Sequence, residues 1–259
     1  MQDIVSAIRS GLSTVTIGKR ILYFPQVTST MVIARKEVLR ETPGGTVIIA
    51  DRQTTGKGRI KRGWSSPEGS ISLSITLYPE LAQLPYLTMI ASLAALHSIW
   101  ETAGIQAELK WPNDVLIKSK KVCGILAESD VCGSKVLYAI IGIGINANFE
   151  VSDYPEIPAT ATSLSMEAGR VISRVDIIIS LLRNFERLYL GLANPDVILK
   201  EWQSHLVTLG QKVTVSSGNQ ILTGIAESVA ADGSLLLRHA DGTHTSIVAG
   251  DVTLRNLPE

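Results

Sequence analysis

The stretch TVIIADRQTTGKGRIKRGWSSPEGSISLSITLY, residues 46–78, places a glycine-rich cationic loop between two strands. TVIIAD (46–51) is the continuous apolar run of a buried strand. SISLSITLY (70–78) alternates Ile71, Leu73, Ile75 and Leu77 with Ser72, Ser74 and Thr76, the period-2 pattern of a half-buried antiparallel strand. Between them QTTGKGRIKRGW (53–64) packs Lys57, Arg59, Lys61 and Arg62 among Gly56, Gly58 and Gly63. Glycine lets backbone N–H groups approach a ligand closely, and Arg and Lys bring fixed charge and donors. Such a loop is built to meet an anion, although by itself it reads equally well as a solvated basic surface.

Outward from the loop, STMVIARKEVLRE (29–41) opens on Ser29 and Thr30, good helix N-caps, and ends before Gly44 and Gly45. KRILYF (19–24) reads as a strand and residues 1–10 as a short helix. YLTMIASLAALHSIWETAG (86–104) is the strongest helix, with a face through Leu87, Ile90, Leu93, Ala94 and His97 and Gly104 as its stop. AELKWPNDVLIKSKKVCGILAES (107–129) reads as two strands joined near Ser119–Lys120, and KVLYAIIGIGINAN (135–148) as another. RVDIIISLLRNFERLYLGL (174–192) and PDVILKEWQSHL (195–206) are amphipathic helices, the second with Pro195 in its first turn. Trp100, Trp111 and Trp202 are expected to be packing residues. After about residue 207 the turn signals SSGN, ADGS and ADGT separate some five short strands, the texture of a small β-barrel. The chain is therefore expected to divide into residues 1–206 and 207–259.

The 259 residues suffice for one large domain and a small one. Lys plus Arg and Asp plus Glu number 24 each, so the chain lacks the basic surplus of bulk nucleic-acid binding. Cys123 and Cys132 make no CxxC, and the histidines lack metal spacing, so no protein-held metal site is expected. Free, buried thiols fit a reducing compartment. No apolar run has the length of a membrane span and the N-terminus has no apolar signal core, so a cytoplasmic location is expected.

The loop is not a P-loop, because GKGR leads into a strand and not a helix. GIGIN (142–146) is not a dinucleotide fingerprint, and no G-x-S-x-G elbow is present. Three other stretches pair a glycine or proline constraint with a polar group on an apolar strand: KWPND (110–114), KVCGILAE (121–128) and IGIGIN (141–146). Polar groups in such places need partners. Each alone is more simply a turn or strand end. The set of four on one sheet is harder to dismiss.

Together these stretches resemble the biotin–protein ligases. The matching pieces are TSTM (28–31), QTTGKGRIKRGW (53–64), KWPND, KVCGILAE, GIGIN and ATSL (161–164), in the family's order; GIAES and ADGSLLL (224–237) are similar to its C-terminal barrel. Two positions depart. Lys57 stands where the family has the first Arg of GRGR, which keeps the charge but loses the bidentate fork. Met31 stands where it has Asn after Ser-Thr. The resemblance implies an α+β fold, a mixed and largely antiparallel sheet flanked by helices as in class II synthetases, followed by an SH3-like barrel. Too few residues precede the core for the DNA-binding domain of some members, so a DNA partner is not expected.

The resemblance further implies that biotin and ATP, with Mg²⁺, give biotinyl-5′-adenylate, and that a lysine of a biotin carboxyl carrier domain then takes the biotin. Lys121, Arg59 and Asp114 are the implied catalytic residues. Ser29, Thr30, Met31, Gln53, Lys57, Gly58, Arg59, Lys121, Gly142 and Gly144 are candidates for biotin. Lys57, Arg59, Trp64, Asn113 and Asn146 are candidates for the nucleotide. Ser29 and Thr30 also read as a plain helix cap, and Lys61 and Arg62 as facing solvent or the carrier. Without an anion the loop is expected to repel itself. A lipoate–protein ligase, of the same fold type, is the alternative, and a sheet-edge homodimer is possible.

Overall fold

A computed structural model describes residues 2–218 and 220–254. In chain order its helices are α1 (Gln2–Gly11), α2 (Thr30–Val38), α3 (Tyr86–Ala103), α4 (Leu164–Ala168), α5 (Arg174–Leu190) and α6 (Pro195–Ser204). The first nine strands are β1 (Ile21–Val27), β2 (Val47–Gln53), β3 (Gly56–Lys57), β4 (Gly63–Trp64), β5 (Ile71–Leu77), β6 (Glu108–Lys110), β7 (Asp114–Ile117), β8 (Lys120–Cys132) and β9 (Lys135–Ile145). Then come β10 (Lys212–Ser217), β11 (Gln220–Val229), β12 (Leu235–Arg238), β13 (His244–Ile247) and β14 (Asp251–Leu254).

One seven-stranded sheet has the order β1-β2-β5-β9-β8-β7-β6. Only β1 and β2 run parallel, because α2 carries the chain back between them; the other pairings are antiparallel. This is the mixed, largely antiparallel α+β sheet expected. Helices α3 and α5 cover one face. Helix α3 is apolar nearly all round and accordingly buried along its length, and Gly104 ends it in the left-handed conformation at φ 70°. Helix α2 covers part of the other face, packing Met31, Ala34 and Val38 on Ile48, Tyr138 and Ile140.

Strands β10–β14 form a five-stranded antiparallel sheet, order β13-β12-β11-β10-β14, with no pairing between its edge strands among the described residues. It is tied to the larger sheet through Trp111. The backbone N–H of that residue donates to Thr208 Oγ1 at 2.9 Å and its indole N–H to the Gly233 carbonyl at 2.9 Å. Gln203 Nε2 adds a bond to the Val229 carbonyl at 3.0 Å.

Several expectations need correction. Strand β5 is not half-buried: Ser72, Ser74 and Thr76 are as inaccessible as Leu73 and Ile75 between them, because α2 and the loop cover that face. Residues 107–129 hold three strands and not two, with the KWPND turn separating β6 from β7 and the second turn at Lys118–Ser119, both at positive φ. Trp111 and Trp202 are buried, but Trp100 is 55% exposed and packs little. Cys123 is buried whereas Cys132 is exposed. No helix among the described residues is long and apolar enough to cross a membrane.

Candidate active site

A cavity of about 530 Å³ opens on the β5–β9–β8 face between the start of α2, the 53–64 loop, the KWPND turn and residues 156–161. Every candidate catalytic or binding residue from the sequence lines it: Ser29, Thr30, Met31, Gln53, Lys57, Gly58, Arg59, Trp64, Asn113, Asp114, Lys121, Gly142, Gly144 and Asn146. Residues far apart in sequence meet because β5, β9, β8 and β7 are consecutive in the sheet.

One end is a polar nest. Gln53 Oε1 accepts from the Thr30 N–H at 2.8 Å and lies 3.2 Å from Thr30 Oγ1, while Gln53 Nε2 donates to Ser72 Oγ at 3.2 Å. Ser74 Oγ donates to Thr30 Oγ1 and Ser72 exchanges a bond with Ser66, each at 2.8 Å. Ser72 and Ser74 thus buttress Gln53 and Thr30 of the cavity wall, while Thr76 Oγ1 turns to the Pro43 and Thr46 carbonyls, so each of these buried hydroxyls has a partner. Gln53 takes the place of a cap on the first turn of α2. Ser29, 1% exposed, sits at the N-cap position but its side chain makes no capping bond, and its buried hydroxyl has no partner. An orphan hydroxyl is what a plain helix cap does not leave behind.

The middle holds the charges. The register of β7 and β8 slips beside Lys121, so that Val115 faces Cys123 but Leu116 faces Lys121. This bulge re-aims the lysine, and its Nζ reaches Asp114 Oδ1 at 2.5 Å. Gly124 stands opposite Asp114 in the ladder, and a Cβ there would lie 3.3 Å from Lys121 Nζ. The Lys121 backbone is held by residues 160–162: its N–H donates to the Thr160 carbonyl at 2.8 Å and its carbonyl accepts from Thr162 at 2.9 Å. Arg59 Nη1 donates to Asn113 Oδ1 at 3.2 Å. Burial, with Arg62 adding and Asp114 opposing, holds the Arg59 guanidinium below its ordinary pKa. Lys110 is likewise pushed down, chiefly by burial and then by Lys121 and Arg62 against Asp114. Both cations are less favourable here than in water, and an incoming anion restores them.

The other end is covered by Trp64. Its indole lies over Gly144, where a Cβ would come within 2.4 Å of Cε2, and Lys121 Nζ stands 5.7 Å from the ring centroid. The indole N–H is buried without a partner. Asn146 donates from Nδ2 to the Thr162 carbonyl at 2.9 Å and tethers the 160–164 segment. The glycines do not simply clear space for a ligand. The room above Gly142 holds the Met31 thioether, whose Sδ would lie 2.7 Å from a Cβ at that position, and the room above Gly144 holds Trp64.

The loop is also less self-repelling than its composition suggests. Arg59 and Arg62 have protein partners, Asn113 and Asp251 among them, and Arg62 lines the cavity as well as meeting solvent. The Lys61 side chain lies outside the described residues. Sequence reasoning missed Lys110, Gly124, Leu126, Ile157, Pro158, Thr160, Ala161, Asp251 and Thr253 as cavity walls. Lys110, Gly124, Leu126 and Ala161 stood inside the quoted motifs and only lacked a role. Nothing in the sequence pointed to Asp251 or Thr253, which come from the second sheet.

Comparison with known proteins gives a consistent picture. Residues 23–146 match the biotin/lipoate A/B protein ligase family and residues 208–255 the biotin protein ligase C-terminal domain. The bifunctional ligase/repressor BirA of Bacillus subtilis is 37% identical over 257 residues, covering 96% of this chain and 78% of that protein. The biotin–[acetyl-CoA-carboxylase] ligase of Mycobacterium tuberculosis is 33% identical over 221 residues, covering 80% and 78%. Among solved structures, the biotin protein ligase of Aquifex aeolicus in complex with biotin and ATP superposes with a TM-score of 0.75 at 29% identity, covering 92% of this chain and all of that one.

Proposed function

The chain belongs to the biotin protein ligases, and from that premise we infer that it joins biotin to ATP as biotinyl-5′-adenylate and passes the biotin to a lysine of a carrier protein. The observation that carries this reading is one cavity lined together by Thr30 and Gln53, by Lys121 and Asp114, and by Trp64 and Asn146. In the first step a biotin carboxylate oxygen bonds to the α-phosphorus of ATP and the bond to the β-phosphate oxygen breaks, releasing pyrophosphate. In the second the carrier amine attacks the anhydride carbonyl, forms an amide, loses a proton and expels AMP.

The residues divide this work. Ser29, Thr30 and Gln53 present the directed polar contacts that the biotin ring needs, the orphan Ser29 hydroxyl first among them. Met31, Gly142 and Leu126 line the apolar side. Lys121 offsets the repulsion between carboxylate and α-phosphate, with Lys57, Gly58 and Arg59 on the loop side. Asp114 holds the Lys121 ammonium in place and offers a carboxylate for the amine proton. Trp64 and Asn146 serve the adenine, by stacking and through the Asn146 side chain. Asn113 positions Arg59.

Magnesium belongs to this reading as the ion that travels with the triphosphate. Among the described residues no group of three His, Cys, Asp or Glu side chains gathers to hold a metal, so the protein offers single carboxylates such as Asp114 and no prepared cage. No step is assigned to the ion. The partner is a biotin carboxyl carrier domain of a biotin-dependent carboxylase, and residues 1–206 and 207–259 are taken as catalytic and accessory units. Biotin-dependent exchange of labelled pyrophosphate into ATP tests the proposal, with lipoate as the competing acid. Exchange with lipoate and none with biotin would overturn it.

A further inference from the structure

Two arginines of the 53–64 loop leave the main sheet and grip the second one. Arg62 pairs with the Asp251 carboxylate at the start of β14, and Arg59 Nη1 lies 3.4 Å from the Gly250 carbonyl. Between them Ile60 has φ 51° and ψ 45°, a left-handed conformation that a β-branched residue seldom adopts. Ile60 is 61% exposed, so burial does not hold it there. The backbone bonds Gly58 N–H to the Arg62 carbonyl, 2.8 Å, and Arg62 N–H to the Arg59 carbonyl, 3.0 Å, close the turn from inside. The grips of Arg59 and Arg62 flank it from outside. Asp251 and Thr253 also line the cavity, so the second sheet supplies one of its walls. That wall is fixed relative to the KWPND turn through Trp111. Lys57, Arg59, Arg62 and Lys110 all line the cavity, the charge of Arg62 is felt by both Arg59 and Lys110, and Asp251 is the counter-charge that the second unit brings to Arg62.

We propose that Asp251 is a positioning residue for the ligase reaction, acting through Arg62: the pair holds the loop against the second unit so that activated biotin is retained until the carrier lysine arrives. This rests on the adenylate-forming reading above. The two side chains are 60% and 40% exposed, so the pair breaks at little cost, as a lid that opens in every turnover requires.

The test uses the full chain as wild type, Asp251→Asn, Asp251→Arg, and the charge-swapped Arg62→Asp/Asp251→Arg. Pyrophosphate exchange by the wild type comes first; its absence overturns the adenylate reading and this proposal with it. The rate at which preformed biotinyl-adenylate leaves each protein is then measured by trapping the released compound, at low and at high salt. Asp251→Asn is expected to release it about two- to fivefold faster, the range open to an ion pair this exposed. Asp251→Arg should release it faster still, and the swapped variant should recover toward wild type. High salt should speed release from the wild type and leave Asp251→Asn nearly unchanged. Release from Asp251→Asn at or below the wild-type rate would overturn the proposal, the slower case showing Asp251 to be a competitor for Arg62. So would a swapped variant no better than Asp251→Arg, because a merely structural Asp251 would not be rescued from Arg62.

Discussion

Replacing Ser29 by alanine separates a helix cap from a ligand contact by the sign of its effect. The Ser29 hydroxyl is buried, has no partner, and makes no bond to the first turn of α2, whose Thr30 N–H is satisfied by Gln53. A buried hydroxyl without a partner costs about 1–3 kcal/mol. Taking the low end, Ser29→Ala should stabilise the ligand-free protein by about 1 kcal/mol, or raise its Tm by about 2–4 °C for a chain of this size. The same change removes a bond to biotin of about 1 kcal/mol, so the biotin Kd should rise roughly fivefold. In biotin excess the two effects nearly cancel, because ligand stabilisation follows the logarithm of concentration over Kd, and the melting temperatures of the two proteins should converge. Scanning calorimetry with and without biotin, together with titration calorimetry, measures all three quantities. A lower Tm for the ligand-free variant with an unchanged Kd is the signature of an ordinary N-cap, and it would refute the reasoning.

Other outcomes follow from the same geometry. Lys121→Ala should slow pyrophosphate exchange by about 10²–10³-fold, the usual loss of one preorganised charge, while melting within a few degrees of wild type, since its partner Asp114 stays partly in water. Gly144→Ala should raise the KM for ATP and alter Trp64 fluorescence, because the new Cβ would sit 2.4 Å from a rigid indole; Gly142→Ala meets only the end of Met31 and should be milder. Burial, then the hydrogen bond and charge of Asp51, push the Tyr23 hydroxyl up to about 12. Folding therefore favours its neutral form, and the stability this gives is complete below the free value near 10 and lost as pH rises toward 12. Tyr23→Phe should flatten the decline in Tm across that window.

Much of the site was legible because its constraints are local. Glycines in a cationic β–β loop, a proline between Trp111 and Asn113, and a lysine three residues before Gly124 each mark a special backbone or a special charge within a few residues. The burial of Ser72, Ser74 and Thr76 was not legible. Alternation reports two different faces, and only the packing of α2 and the contacts to Gln53, Thr30 and Ser66 show that the polar face is also covered. Trp100 misled for the opposite reason: a tryptophan on a strongly apolar helix looks like core, but α3 turns that position outward.

The chain by itself thus determined most of the elements, because hydrophobic period, caps and turn formers act over short distances, while the α+β class and the roles of the residues at the cavity followed from the resemblance of its motifs to a family. Three things were decided only by tertiary structure. The bulge beside Lys121 set its pairing with Asp114, the fold laid Trp64 and Met31 over the two glycines of β9, and the second sheet brought Asp251 to Arg62. Each depends on which surfaces meet across the fold, and contact between residues as far apart as 62 and 251 leaves no periodic mark in the sequence. For the cationic loop, sequence supplied the charge, and the docking of two sheets decided what that charge holds.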